Sequence, residues 1–164
     1  MLRRAAIQDL DKIMYIVDEV KEEMRQEGSD QFDDTYPTEE HFRDDIENGH
    51  LYIRSIGTNI AGIICINNKE ISNSSHLNWS KCTPCTAFYR LIVNKLYRRS
   101  GIGKELVLLA EDISRRHRLN YVKAATYELN KSMISLFEKL NYRFVGKINV
   151  ETRKYPFYCY EKLL

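Results

Sequence analysis

The chain has 164 residues, of which 43% are apolar and 29% charged, which is typical of one soluble globular domain spanning residues 1–164. A chain of this length can bury a sizeable core, so the disulfide-scaffold class is excluded and no metal is expected. The 25 Lys and Arg side chains exceed the 23 Asp and Glu side chains by two. No global field therefore attracts nucleic acid or a membrane, and neither is expected as a partner.

The cellular compartment is predicted from the cysteines and from the start of the chain. Four cysteines are few for a secreted protein, and charged residues such as Arg3, Arg4 and Asp9 interrupt any apolar leader. The longest apolar run covers residues 60–66, whereas a membrane helix needs about 20 residues. We therefore expect a cytoplasmic protein, either a monomer or a homodimer.

The first part of the chain predicts a strand, two helices and a hairpin. Residues 2–6 suit a short strand, and apolar residues at helical spacing then predict an amphipathic helix from Leu10 that ends at Gly28. A polar loop follows over residues 29–37. Thr38 is placed to cap a second, short helix that ends at Gly49. Two β-rich runs, residues 51–56 and 60–66, flank Gly57-Thr58-Asn59 and predict a hairpin.

The second part alternates strands and helices. The polar stretch at residues 67–84 is the least structured by composition. Strand, helix and strand are then predicted from residue 87 to residue 126, as a right-handed parallel crossover. The remaining elements are a helix over residues 132–140 and two strands over residues 143–148 and 157–162. The sequence thus predicts one mixed α/β domain.

A candidate anion site lies where the strand ending at Val93 leads into the crossover helix. The turn contains Gly101 and Gly103, and the start of a helix offers unpaired N–H groups and a positive dipole end. Neither a Walker loop nor a dinucleotide fingerprint fits, because the first lacks its spacing and hydroxyl and the second has Leu106 where a small residue is needed. The alternative is a tight turn whose cations are simply solvated.

The combination of motifs resembles the GNAT superfamily of N-acetyltransferases. Arg98-x-x-Gly101-x-Gly103 after an apolar strand is similar to its acetyl-CoA signature. Asn130 follows the next strand, and the run Leu-Phe-Glu-Lys-Leu-Asn-Tyr at residues 136–142 is similar to the family's Leu-Tyr-Glu-Lys-Leu-Gly-Phe. The resemblance, which extends to small bacterial members, implies an α/β (α+β) fold with a central mixed, mostly antiparallel sheet. Helices would cover both faces, and the central parallel strands would splay apart.

The resemblance also implies a binding mode for acetyl-CoA. The pantetheine would lie between the strands at residues 88–93 and 121–126, pairing with the backbone of Leu91 and Val93. Backbone amides of residues 99–104 would hold the pyrophosphate. The implied cofactor-binding residues are Leu91, Ile92, Val93, Arg98, Arg99, Ser100, Gly101, Ile102, Gly103, Lys104, Asn130, Ser132 and Phe137.

The implied reaction is direct attack of a primary amine, on a small molecule or a peptide, on the acetyl thioester. An alkyl amine of pKa about 10.4 is only about one part in two thousand neutral near pH 7, so a base is needed. Tyr89 and Glu128 are the catalytic candidates for this base, and Tyr127 is the candidate for the acid that reprotonates the leaving thiolate. Their alternatives are a sheet-covering aromatic, a solvated acid and a core residue. Phe137 stands where family members often have a Tyr acid. This keeps open a non-catalytic acyl-CoA sensor.

Acceptor choice in this family comes from the first two helices and the loop between them. In this chain the loop combines aspartates with two aromatic side chains, which suits a cationic amine by charge and by cation–π contact. The alternative is an acidic surface loop. The candidate acceptor-binding residues are Gln31, Phe32, Asp34 and Tyr36.

Overall fold

The computed structural model describes residues 1–164, and apolar periodicity accounts for most of their elements. The strands are β1 (Leu2–Arg4), β2 (Leu51–Ile56), β3 (Asn59–Asn67), β4 (Thr86–Val93), β5 (Tyr121–Tyr127), β6 (Arg143–Ile148) and β7 (Phe157–Leu163). The helices are α1 (Leu10–Gln26), α2 (Glu39–Glu47), α3 (Ile102–Arg116) and α4 (Lys131–Lys139). Every predicted element is present, with ends that differ from the prediction by a few residues. None of the helices combines the length and apolar composition needed to cross a bilayer.

The strands form a sheet in the order β1-β2-β3-β4-β5-β7-β6. The pairs β1–β2, β2–β3, β5–β7 and β6–β7 are antiparallel, and β4–β5 is parallel. The parallel register covers three pairs, from Thr86–Val122 to Phe88–Ala124. The predicted mixed, mostly antiparallel sheet is therefore confirmed.

The chain divides into two compact units, the first comprising residues 1–66 and 90–106 and the second residues 67–89 and 107–164. That residues 1–164 form a single domain stays a prediction. In the first unit, Ile13 and Val17 of α1, Phe42 of α2 and Ile53 of β2 are fully buried. Gly62 of β3 allows close packing, because a Cβ there would lie 2.6 Å from Ile102 Cγ2.

The hairpin of the first unit has a two-residue loop. Ile56 pairs with Asn59, so the loop is Gly57-Thr58, one residue shorter than predicted. Gly57 has a φ of +58°, in the left-handed region where glycine carries no steric penalty. This conformation matches the turn to the twist of the flanking strands.

In the second unit, the segment at residues 68–85 is anchored although it contains no helix or strand. Ile71 is buried in a cluster with Ala87, Ile148 and Cys159. Trp79 Nε1 donates a hydrogen bond of 2.9 Å to the Ser74 carbonyl oxygen. Composition correctly predicts the lack of regular structure here but does not predict the contacts that anchor the segment.

Candidate functional site

The end of β4 is held in place by Asn94, which is 9% exposed. Its backbone N–H donates to the Ala61 oxygen at 2.9 Å, and its side-chain Nδ2 donates to the Ile60 oxygen at 3.0 Å. Its Oδ1 accepts from the Leu96 N–H at 3.1 Å, which caps the single 3-10 turn at Lys95–Tyr97. The segment leading to α3 is therefore fixed to β3 before any ligand is present.

The turn before α3 leaves backbone N–H groups open. Arg99 and Gly101 have φ angles of +59° and +85°, so the chain reverses in the left-handed region before α3 begins at Ile102. The Glu105 N–H donates to the Gly101 oxygen at 3.0 Å, and the N–H groups that precede it at the start of the helix have no intrahelical partner. A Cβ at Gly101 would meet nothing within 4 Å. This is the geometry that an anion requires.

The cations around this turn differ in their pairing. Arg99 and Lys104 are exposed and form no ion pair. Arg98 Nη1 lies 2.5 Å from Glu23 Oε1 of α1. Ser100 Oγ donates to the Tyr97 oxygen, which stabilises the turn. Two unpaired cations therefore stand at the positive end of the α3 dipole, where they favour a phosphate.

The backbone of β4 has an irregular residue just before the predicted pantetheine contacts. Arg90 has a φ of +49°, which is uncommon for a residue with a side chain. Such a conformation costs about 1–3 kcal/mol and persists only where the surroundings impose it. Ile92 is buried, while the side chains of Leu91 and Val93 are half-buried. The simple alternation expected along this strand is therefore broken at Arg90.

A buried ion pair accounts for the position of Arg90. Its guanidinium contacts both oxygens of Asp45 in α2, with Nε to Oδ2 at 2.9 Å and Nη2 to Oδ1 at 2.7 Å. Nη1 donates to the Tyr36 hydroxyl at 2.9 Å. Burial alone would lower the pKa of Arg90, but Tyr36 and Asp45 outweigh it and raise the pKa above its ordinary value. Burial, together with Asp45, raises the pKa of the neighbouring Cys65 thiol to about 12.

This cluster of Arg90, Asp45 and Tyr36 is not predicted from the sequence. The available signal was a cation within the apolar strand Ala87 to Val93, because a charge at such a position needs a buried partner. The partner itself is 45 residues away, and no sequence pattern indicates which acid it is.

The three catalytic candidates have different hydrogen-bond partners, all within the second unit. Tyr89 donates its hydroxyl hydrogen to the Lys69 oxygen at 2.8 Å. Tyr127 is fully buried and accepts from the Tyr155 N–H at 2.9 Å. Glu128 Oε1 accepts from the Tyr158 hydroxyl at 2.9 Å and lies 3.6 Å from Lys147 Nζ. Glu128 is the one carboxylate among the three candidates, and its side chain is 25% exposed to solvent.

The second unit also contains three of the residues implied as cofactor contacts. Asn130 caps α4, its Oδ1 accepting from the Met133 N–H at 3.1 Å. Ser132 is exposed. Phe137 is fully buried, and its ring stacks on that of Tyr160 with centroids 4.4 Å apart. Phe137, which the motif resemblance compares with a proton-donating Tyr, is thus part of an aromatic core here.

The candidate acceptor residues are only partly available to a ligand. Phe32 is buried. Tyr36 packs edge-on against His41, with centroids 5.0 Å apart, and its hydroxyl accepts from Arg90. The backbone N–H of Gln31 lies 3.4 Å from Ser29 Oγ. Asp34 is 90% exposed and 3.4 Å from Arg25, so it is the most accessible of the predicted acceptor contacts.

No group of three or more His, Cys, Asp or Glu side chains is placed to hold a metal ion.

The family model of the acetyltransferase (GNAT) family matches residues 15–142, which is more than half of the chain. The chain therefore belongs to the GNAT acetyltransferase family. A comparison with curated protein sequences found no match.

Solved structures share the fold at low sequence identity. A GNAT-family acetyltransferase from Streptococcus agalactiae has a TM-score of 0.85 and 22% identity, covering 100% of this chain and 95% of that one. One from Listeria monocytogenes has a TM-score of 0.78 and 20% identity, covering 100% and 94%. A chain of the NatC complex bound to Gag peptide and CoA has a TM-score of 0.71 and 15% identity, covering 100% and 98%. The predicted fold is therefore confirmed.

Proposed function

We propose that this chain transfers an acetyl group from acetyl-CoA to a primary amine of a small molecule or peptide by direct attack on the thioester. The observation that carries the proposal is the turn before α3, where open N–H groups, free space beside Gly101 and the unpaired Arg99 and Lys104 come together. These features fit a pyrophosphate. The family assignment and the CoA-bound NatC relative support the same ligand.

The chain's own groups would carry distinct parts of the chemistry. When bound, acetyl-CoA supplies an activated acyl group. Backbone groups of Leu91 and Val93 would bind the pantetheine, and an N–H of the same strand would stabilise the oxyanion. Glu128 is the base that we favour, because its carboxylate can accept a proton, whereas the Tyr89 hydroxyl donates its hydrogen to the Lys69 carbonyl oxygen. Tyr127, the candidate for the acid, is fully buried. The family motif also implies cofactor contacts for Asn130, Ser132 and Phe137, and we retain these contacts in the proposal.

The remaining parts of the proposal concern acceptor and location. The exposed Asp34 favours a cationic amine, in keeping with the acidic loop. We further propose a cytoplasmic protein that is a monomer or a homodimer, and the balanced charge of the chain supports the proposal that it has no nucleic-acid or membrane partner. A second candidate function is an acyl-CoA sensor without turnover. The buried Phe137, which has no proton to give, favours it.

Binding of the cofactor is the first test. Acetyl-CoA and free CoA at about 100 times their Kd should stabilise the chain by about 2.7 kcal/mol, seen as a raised melting temperature. ATP should have little effect, because it lacks pantetheine. Absence of a shift with saturating cofactor would contradict both functions. A shift without amine acetylation in a broad acceptor screen would select the sensor.

The unpaired cations give a second test. We expect the double variant Arg99→Ala, Lys104→Ala to bind CoA at least tenfold more weakly, because a hydrogen bond to a charged group is worth about 1.5–3 kcal/mol. Calorimetric titration measures the affinity. The control is Arg116→Ala, Lys139→Ala, which removes two cations from the ends of α3 and α4. Equal weakening in both double variants would assign the effect to net charge and not to this turn.

A further inference from the structure

Two acids of α1 hold two cations that lie between β4 and α3. Glu19 and Glu23 are four residues apart and so share one face of the helix. Glu19 Oε1 lies 3.0 Å from Lys95 Nζ, and Glu23 Oε1 lies 2.5 Å from Arg98 Nη1. The cations nearest the end of β4 are thus paired, in contrast to Arg99 and Lys104.

The two ion pairs are accessible to water. With Ile16 and Val20, the four side chains line a shallow depression of the surface. The side chains of Lys95 and Glu19 are 51% and 29% exposed, and those of Arg98 and Glu23 are 41% and 34% exposed. Exposed pairs of this kind are weak. A more highly charged anion can therefore displace either carboxylate.

We propose that Glu19 and Glu23 set the affinity of the chain for the phosphate groups of coenzyme A by competing with them for Lys95 and Arg98. This inference rests on the proposed function. Arg98 is the first residue of the Arg-x-x-Gly-x-Gly motif, so its guanidinium is a group that the motif assigns to the cofactor. In the free chain that guanidinium is occupied by Glu23.

The negative charge of Glu23 determines whether this residue raises or lowers the affinity for a phosphate group. A carboxylate 2.5 Å from a guanidinium cancels most of its field at longer distance. An arriving phosphate either displaces Glu23 or binds next to a group of its own sign, and both outcomes weaken binding. If Glu23 served only to hold Arg98 in position, its removal would weaken binding instead. The direction of the change therefore separates competition from positioning.

The test is calorimetric titration of the full chain with coenzyme A at low and high salt. Glu23→Gln should bind about threefold more tightly at low salt, and Glu19→Gln should change in the same direction. High salt should reduce the gain. Glu23→Asp, which keeps the charge, should bind like the wild type. Pantetheine lacks phosphates, so its affinity should be the same for all variants.

Glu22→Gln is the matched control, because Glu22 lies on the same helix but pairs with Arg25. An equal gain in Glu22→Gln, or unchanged or weaker binding in Glu23→Gln, would overturn the competition. If the wild-type chain itself does not bind coenzyme A, the proposed function fails and the inference fails with it. Thermal unfolding of each ligand-free variant verifies that the fold is intact.

Discussion

Replacing Asp45 with alanine is expected to lower the free energy of unfolding by about 3–5 kcal/mol, because it leaves the Arg90 charge buried without its partner. Both oxygens of Asp45 contact the guanidinium, and the two side chains are only 10% and 12% exposed. Urea denaturation followed by circular dichroism measures the change.

Two further variants serve as controls for the predicted destabilisation by Asp45→Ala. Asp44→Ala removes an exposed acid from the neighbouring position of α2 and should change stability by about 0.5 kcal/mol or less. The double variant Asp45→Leu, Arg90→Met removes both charges, and an apolar replacement of a buried pair is often neutral. It should therefore be more stable than Asp45→Ala. A double variant as unstable as the single one would show that the loss comes from packing rather than from an unpaired charge.

Replacing Glu161 with glutamine should cost about 3 kcal/mol at neutral pH, because several donors lose their anionic acceptor. Glu161 of β7 is 2% exposed. It accepts from the Ser80 N–H at 3.0 Å and from Arg143 Nε at 2.9 Å, and also from the hydroxyls of Ser80 and Tyr121. The variant should loosen residues 68–85, which limited proteolysis at neutral pH would detect. Glu151→Gln, an exposed acid of the same unit, should leave stability unchanged.

The stabilisation by the Glu161 carboxylate should decrease as the pH falls. Burial by itself would raise the pKa of Glu161, but hydrogen bonds from Ser80, Tyr121 and Arg143 outweigh it and lower the pKa below its ordinary value of 4.5. Since the folded-state pKa is depressed, the stabilisation is present above pH 4.5 and is lost as the pH falls through the folded-state value. The stability difference between wild type and Glu161→Gln should shrink on acidification. A difference that is equal at pH 7 and pH 3 would contradict this account.

Local patterns predict the elements well because their causes are local. The apolar spacing from Leu10 defines α1, and Gly28 ends it with a φ of +78°. Asn141, where relatives have Gly, has the left-handed φ of +61° that this substitution allows. The open turn before α3 follows in the same way from Gly101 and from the start of a helix. For such features the sequence contains nearly all the information.

Contacts between distant residues could not be predicted from the sequence. Ser80 and Glu161 are 81 residues apart, so the polar composition of residues 67–84 gave no indication of their anchor. Position 90 lies in a predicted strand, yet its side chain forms a buried ion pair with Asp45 and its backbone is left-handed. The acceptor loop was read as aromatic and acidic, yet Phe32 is buried and Tyr36 accepts from Arg90. Each of these outcomes depends on which side chains the fold brings together.

The hydrogen bonds of Asn94 have a kinetic consequence. Because Asn94 already ties the strand end to Ile60, Ala61 and Leu96, little conformational entropy remains to be lost there when an anion arrives. We therefore expect the binding of an anion to need no rearrangement of this strand end, and its association rate to fall as the ionic strength rises.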